Sequence, residues 1–369
     1  MPHVPVSKMN PSKNLVLNVQ ILRAVAATLV VIVHSIDRSF ASDPSWFSWG
    51  VSLQKIGVVG VDIFFVISGY IITRTGFVGR RRTAEDFLAQ RFKRVVPLYF
   101  ILSLPWMLVA IRSGEFSIQA LISTVLFWPA AAGQAMALPF LTYGWTLNFE
   151  ILFYSVATLV LLTSNRLGIT LALVAYAGMW ILRDTTGASA FRFLGNPMIL
   201  EFLFGVAIAL FADRVPKVVG TATLVFGIAA IAATVGIGYG EIWIGEAILD
   251  GSQSLKRVLI WGLPAAAIVL GAVTTPTWRL GFLLKPLVFL GTASYSLYLA
   301  HRLGLAALDG VLGKANIELG GLTFTILGIA VSLVTGVAAY WLVESPLLRL
   351  IGKKPSPTVA APLDATAPA

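Results

Sequence analysis

The stretch LVLNVQILRAVAATLVVIVHSI, residues 15–36, decides the fold class. Wound as an α-helix at about 1.5 Å per residue, a run of this length reaches roughly 33 Å, enough to cross a hydrocarbon core about 30 Å thick. Two ionisable side chains, Arg23 and His34, interrupt it. Eleven residues at about 100° each close nearly three turns, so the two share one helix face, roughly 16 Å apart along the axis. Lys8 and Lys13 precede the run, as basic residues precede a signal peptide. The run is too long for such a leader and more apolar runs follow, so it reads as a retained first span.

The rest of the chain repeats the pattern. Apolar runs recur at about 56–74, 94–111, 144–163, 167–182, 198–213, 217–237, 257–274, 287–307 and 321–343, giving ten expected spans. The stretch 117–128 is apolar but short and suits a re-entrant or interfacial piece. The fold class is therefore an all-α polytopic transmembrane bundle. Three regions follow: a cytoplasmic N-terminal segment over 1–14, one membrane domain over 15–350, and a Pro/Ala-rich tail over 351–369 expected to be disordered.

Composition agrees. Of the 369 residues 57% are hydrophobic and 12% charged, too few charges to cover a water-soluble surface. The net charge of +10 does not point to nucleic acid, because the basic residues fall in loops between apolar runs. With the N-terminus in the cytoplasm, 17 of the 27 Lys and Arg lie inside, nine lie outside or at outer span edges, and Arg23 lies within the membrane. The asymmetry favours both termini in the cytoplasm of a bacterial inner-membrane protein. Absent cysteine excludes disulfides, thiolate metal sites and a cysteine nucleophile. Three histidines are too few to suggest a multi-histidine metal site, so no metal is expected.

Charged groups at membrane depth cost at least about 2.5–3.5 kcal/mol each and usually face the bundle interior. Besides Arg23 and His34 they include Asp62, Glu150, Glu201 and, nearer helix ends, His301 and Glu344. Histidine suits proton transfer near neutral pH. Glu150, in WTLNFEILFY (145–154), is expected at a depth similar to that of His34, where a carboxylate orients an imidazole; a structural hydrogen bond is the plainer alternative. Asp62, in IGVVGVDIFFVISGYII (56–72), reads more readily as a structural ion pair than as a substrate contact, and Gly57, Gly60 and Gly69 there allow close backbone approach. Glu201 is a candidate to neutralise Arg23.

In RRRTAEDFLAQRFKRVVPLY (80–99) an amphipathic helix is expected on the cytoplasmic membrane surface, with Phe87, Leu88 and Phe92 inward. Topology and anionic lipid account for Arg80 to Arg82. Arg91 and Arg94, three apart on one face, suit a phosphate clamp, and Pro97 is placed to start the following span. Tyr295, Tyr298 and His301 recur every three residues in SYSLYLAHRLG (294–304), as an interfacial aromatic patch or a substrate-binding face.

Taken together, Arg23 with His34, DIFFVISGYII (62–72), Arg91 and Arg94 before Pro-Leu-Tyr, WTLNFEILFY, EFLFG (201–205) and SYSLYLAH (294–301) resemble the acyltransferase-3 family of membrane O-acyltransferases. The likeness is particularly to bacterial exopolysaccharide O-acetyltransferases of the succinoglycan type, and it covers about residues 14–350. It implies acyl transfer from cytoplasmic acetyl-CoA, or another acyl-CoA, to a carbohydrate hydroxyl. No permanently bound cofactor is implied. By the same resemblance His34 is the catalytic base or nucleophile, Arg23 its motif partner, and Arg91 and Arg94 the residues at the CoA phosphates. Expected partners are acyl-CoA, the carbohydrate acceptor, membrane lipids and polysaccharide-synthesis machinery, with no nucleic acid. The alternative is a transporter or flippase for a polysaccharide precursor, using the same buried charges as a proton relay; no inverted repeat accompanies them.

Overall fold

The computed structural model describes residues 11–47, 50–78, 83–132, 135–163, 165–278 and 280–351. The basic run Arg80 to Arg82, the first ten residues and the tail beyond 351 lie outside the described residues. Among those described, nine helical segments are long and apolar enough to cross a membrane, and a tenth is sharply bent. Each matches one expected span, so the protein is a multi-pass all-α bundle.

Helix α1 (Pro11–Ser42) is the central post. The short α2 (Gly50–Lys55) leads into α3 (Val59–Thr73), and α4 (Ala84–Ser113) follows. The stretch expected to be interfacial forms only α5 (Ile118–Val125), followed by a two-stranded hairpin, β1 (Ala131–Ala132) and β2 (Ala135–Met136). Next come α6 (Trp145–Leu162), the peripheral α7 (Asn165–Thr186), the short α8 (Ser189–Leu194), α9 (Ile199–Phe211) and α10 (Lys217–Ile237). Beyond a loop with α11 (Gly245–Leu249), one span is built from α12 (Ser254–Arg257), a π-turn over Val258–Gly262, and α13 (Leu263–Thr274). The chain closes with α14 (Leu284–Thr292), α15 (Ser294–Ala315), α16 (Gly321–Ala339) and α17 (Ser345–Ile351).

Small residues set the packing, as expected where lipid removes the hydrophobic drive between helices. A Cβ on Gly69 of α3 would stand 2.1 Å from the Phe202 carbonyl oxygen of α9, and one on Gly205 would stand 2.1 Å from that of Val66. The two helices therefore touch backbone to backbone. Gly60 approaches Ala26 of α1 in the same way, its Cβ position 2.3 Å from the carbonyl oxygen.

Two expectations are corrected. The amphipathic segment and third span are not separate helices: α4 runs unbroken through Pro97 and Pro105. Its start is fixed instead by Thr83, whose hydroxyl caps the Asp86 amide at 3.1 Å, with Glu85 and Asp86 complementing the helix dipole. Phe87 is buried, whereas Phe92 faces away from the bundle. The ninth span is not straight either. It bends by 80° between α14 and α15, and the carbonyl freed at Gly291 needs a donor at membrane depth.

Candidate active site

Arg23 is that donor. Its Nε reaches the Gly291 carbonyl oxygen at 3.2 Å, and Nε and Nη2 reach the Ser294 hydroxyl at 3.1 and 2.9 Å. Its closest partners are a broken helix and a hydroxyl rather than an acid. Glu201 does not neutralise it: that carboxylate is fully buried beside Asp62 and Arg257, wedged against Gly262 of the α12–α13 span. Asp62 forms a bidentate ion pair with Arg257 at 2.9 and 2.8 Å, both side chains wholly buried. Arg257 also donates to the Ile242 and Val58 carbonyls. Asp62, expected as a structural pair or a substrate contact, is wholly engaged by this arginine.

Three neighbouring cavities in the bundle share lining residues in series. The first, about 310 Å³, is lined by Arg74, Arg91 and Arg94 together with Arg23, Glu150, Tyr154 and Tyr295. Arg91 donates to the Thr75 hydroxyl at 3.1 Å and lies against the Phe87 and Tyr154 rings. The second, about 70 Å³, shares Arg23, Ser68, Glu150 and Tyr295 with the first and Val61 and Tyr298 with the third. The third, about 300 Å³, is lined by His34, Asp37, Lys55, Arg302 and Glu246 and by Tyr143, Trp145 and Trp243. A larger apolar groove of about 430 Å³ between α6 and α7 has no charged residue among its described lining and offers no acid–base chemistry.

The three cavities separate residues that the sequence grouped. Arg23 and His34 do lie on one helix but line different cavities, Arg23 the first and second and His34 the third. Glu150 does not orient His34. It accepts from the Ser68 hydroxyl at 3.2 Å and from the Tyr154 hydroxyl, and lines the cavities that Arg23 lines. Tyr295 also lines them, its hydroxyl held by the Val95 carbonyl at 2.7 Å. Glu344 is buried and accepts from Ser296.

His34 stacks on His301, ring centroids 5.2 Å apart and planes 19° apart. His301 is fully buried, with Nδ1 2.7 Å from the Tyr298 carbonyl oxygen and Nε2 without a hydrogen-bond partner among the described residues. Tyr143 packs against both imidazoles, its hydroxyl tied to the Leu299 carbonyl at 2.7 Å. The carboxylate paired with His34 is Asp37, one turn further along α1, Oδ2 lying 3.9 Å from Nδ1. Sequence reasoning missed Asp37 because it sought a partner on another helix; the i,i+3 spacing was the available signal. Lys55, Tyr143, Trp243 and Arg302 carried no comparable signal, since four separate segments of the chain bring them together.

Comparison with known proteins completes the description. The acyltransferase domain family matches residues 16–341. The exopolysaccharide production protein ExoZ of Rhizobium meliloti is 33% identical over 312 residues, covering 80% of this chain and 90% of its own. Acyltransferase MdmB of Streptomyces mycarofaciens is 25% identical over 94% of each chain. The peptidoglycan O-acetyltransferase OatA of Listeria monocytogenes serovar 1/2a is 24% identical over 92% of this chain and 56% of its own. No solved structure matches.

Proposed function

The chain belongs to the acyltransferase domain family, and from that membership we propose that it moves an acyl group, acetyl in the first instance, from cytoplasmic acyl-CoA to a hydroxyl of an exopolysaccharide or lipid-linked sugar. The similarity to an exopolysaccharide production protein and a peptidoglycan O-acetyltransferase supports a carbohydrate acceptor. The charge asymmetry supports an orientation with both termini cytoplasmic, and the similarity to an exopolysaccharide production protein supports a place in the bacterial inner membrane alongside polysaccharide-synthesis machinery.

The observation that carries the proposal is the series of three cavities with shared lining, arginines in the first and His34 in the third. Arg91 and Arg94 take the CoA phosphates through charge-assisted hydrogen bonds. The thin pantetheine arm passes Arg23, Glu150 and Tyr295 and carries the thioester toward His34. The roughly 16 Å helical separation gives Arg23 a steering role on the donor rather than contact with the reacting carbonyl. The acceptor enters by the cavity of Trp145, Trp243 and Arg302.

As general base, His34 removes the acceptor hydroxyl proton while that oxygen attacks the thioester carbonyl. A C–O bond forms, the C–S bond breaks, and the proton passes from the imidazolium to the departing CoA sulfur. In a two-step route the imidazole is itself the nucleophile and is freed by the acceptor. No permanently bound cofactor or metal enters either route. Glycan mass spectrometry of deletion and complemented strains tests the proposal. Loss of one acyl mass that returns on complementation supports it, and unchanged glycan overturns it.

A further inference from the structure

The two oxygens of Asp37 have different surroundings. Oδ1 accepts from Lys55 Nζ at 2.6 Å and from Gln54 Nε2 at 2.9 Å. Oδ2 is turned to His34 Nδ1, 3.9 Å away. Lys55 is in turn seated over the Trp243 ring at 4.4 Å, so the carboxylate is braced by α2 and by the loop leading to α11. The other groups facing His34 do not substitute for it. Lys55 and Arg302 are cations, His301 stacks on the face of the ring rather than meeting a nitrogen in its plane, and Tyr143 is occupied by a carbonyl. No other described carboxylate pairs with His34.

We propose that Asp37 is the positioning residue of this acyltransferase, its free Oδ2 holding the His34 imidazole with the proton on Nδ1 and leaving Nε2 for the acceptor proton. The inference rests on His34 being the base or nucleophile, and serves either route, because both need an unprotonated Nε2. The present separation is longer than a hydrogen bond and closes by a small rotation of the ring, as catalytic contacts tighten on substrate binding. Two donors on Oδ1 make the carboxylate a fixed wall rather than a mobile side chain.

An amide at this position inverts the arrangement. In Asp37→Asn the oxygen stays with Lys55 and Gln54, and the NH2 group faces His34. It then donates to Nδ1 and moves the imidazole proton to Nε2, the wrong tautomer for proton abstraction.

The test uses the full-length purified protein, acetyl-CoA, and de-O-acetylated exopolysaccharide from the producing strain, reading free CoA thiol and ester on the polymer. Asp37→Asn is expected to lower kcat by at least about 10²-fold with an unchanged KM for acetyl-CoA. Asp37→Glu is expected to recover to within about 10-fold of wild type. Wild-type kcat in Asp37→Asn, or an Asp37→Glu variant no better than the amide, overturns the assignment. Asp37 is partly exposed in an open cavity, so formate can reach an Asp37→Ala site. Formate is expected to raise kcat of that variant at least about 10-fold over chloride, and no rise overturns the assignment even if the amide variant fails to fold. His34→Ala separates the two levels: activity retained there removes the underlying reading, whereas an inactive His34→Ala beside an unaffected Asp37→Asn removes Asp37 alone.

Discussion

Arg257 grips Asp62 through two hydrogen bonds of 2.9 and 2.8 Å, with neither side chain exposed. The pair ties the α12–α13 span to α3, and its bond to Ile242 anchors the loop that presents Trp243 to the His34 cavity. Removing one partner leaves the other charge buried and alone. Asp62→Asn or Arg257→Met should therefore destabilise the protein by about 3–5 kcal/mol, measured by denaturation in detergent. The joint replacement Asp62→Leu with Arg257→Met should lose less than either single change.

Close helix contact between α3 and α9 leads to a packing prediction. Gly69→Leu places a side chain where the Phe202 carbonyl already stands, so folded yield by size-exclusion chromatography should collapse. Gly178→Ala, with open space around its Cβ position, should leave yield unchanged.

His34→Ala should reduce acyl transfer from acetyl-CoA by at least about 10²-fold, the usual contribution of a positioned acid–base group. Thiol release and polymer ester measured together check it. Wild-type turnover would remove His34 from both chemical routes.

The arginine mouth makes a different kinetic signature. Arg91→Ala combined with Arg94→Ala should raise KM for acetyl-CoA by at least about 10²-fold, because charge-assisted hydrogen bonds contribute about 1.5–3 kcal/mol each. An unchanged KM would detach these arginines from the donor.

Glu150 separates the donor end from the acceptor end. With its carboxylate among Ser68, Tyr154 and Arg23, Glu150→Gln should alter KM for acetyl-CoA and leave KM for the polymer acceptor as it is. The converse result would move Glu150 toward His34.

Much of this was legible along the chain. Span number and approximate bounds followed from apolar run length, because a helix in lipid has to satisfy its own backbone. The glycines of α3 marked close contact, whereas of the expected shared face of Tyr295, Tyr298 and His301 only the last two meet near His34 and Tyr295 turns to the Arg23 cavity. The continuity of α4 was not legible, because Pro97 reads equally as a helix start and as a tolerated interruption. Nor was the 80° bend after Thr292, which is stabilised by Arg23 from another helix.

By itself, the sequence determined the class: a multi-pass helix bundle carrying ionisable side chains where lipid forbids unpaired ones, with Arg23 and His34 on one face. Tertiary structure decided the pairings between helices. It matched Asp62 with Arg257, brought Ser68 to Glu150, assigned Arg23 to a broken helix, and set Lys55 on Asp37 beside His34. The reason is that helical periodicity fixes the direction of a side chain about its own axis, whereas the partner it meets depends on which neighbouring helix packs there and at what depth. Small residues such as Gly69 and Gly205 settle that packing only when both surfaces are brought together.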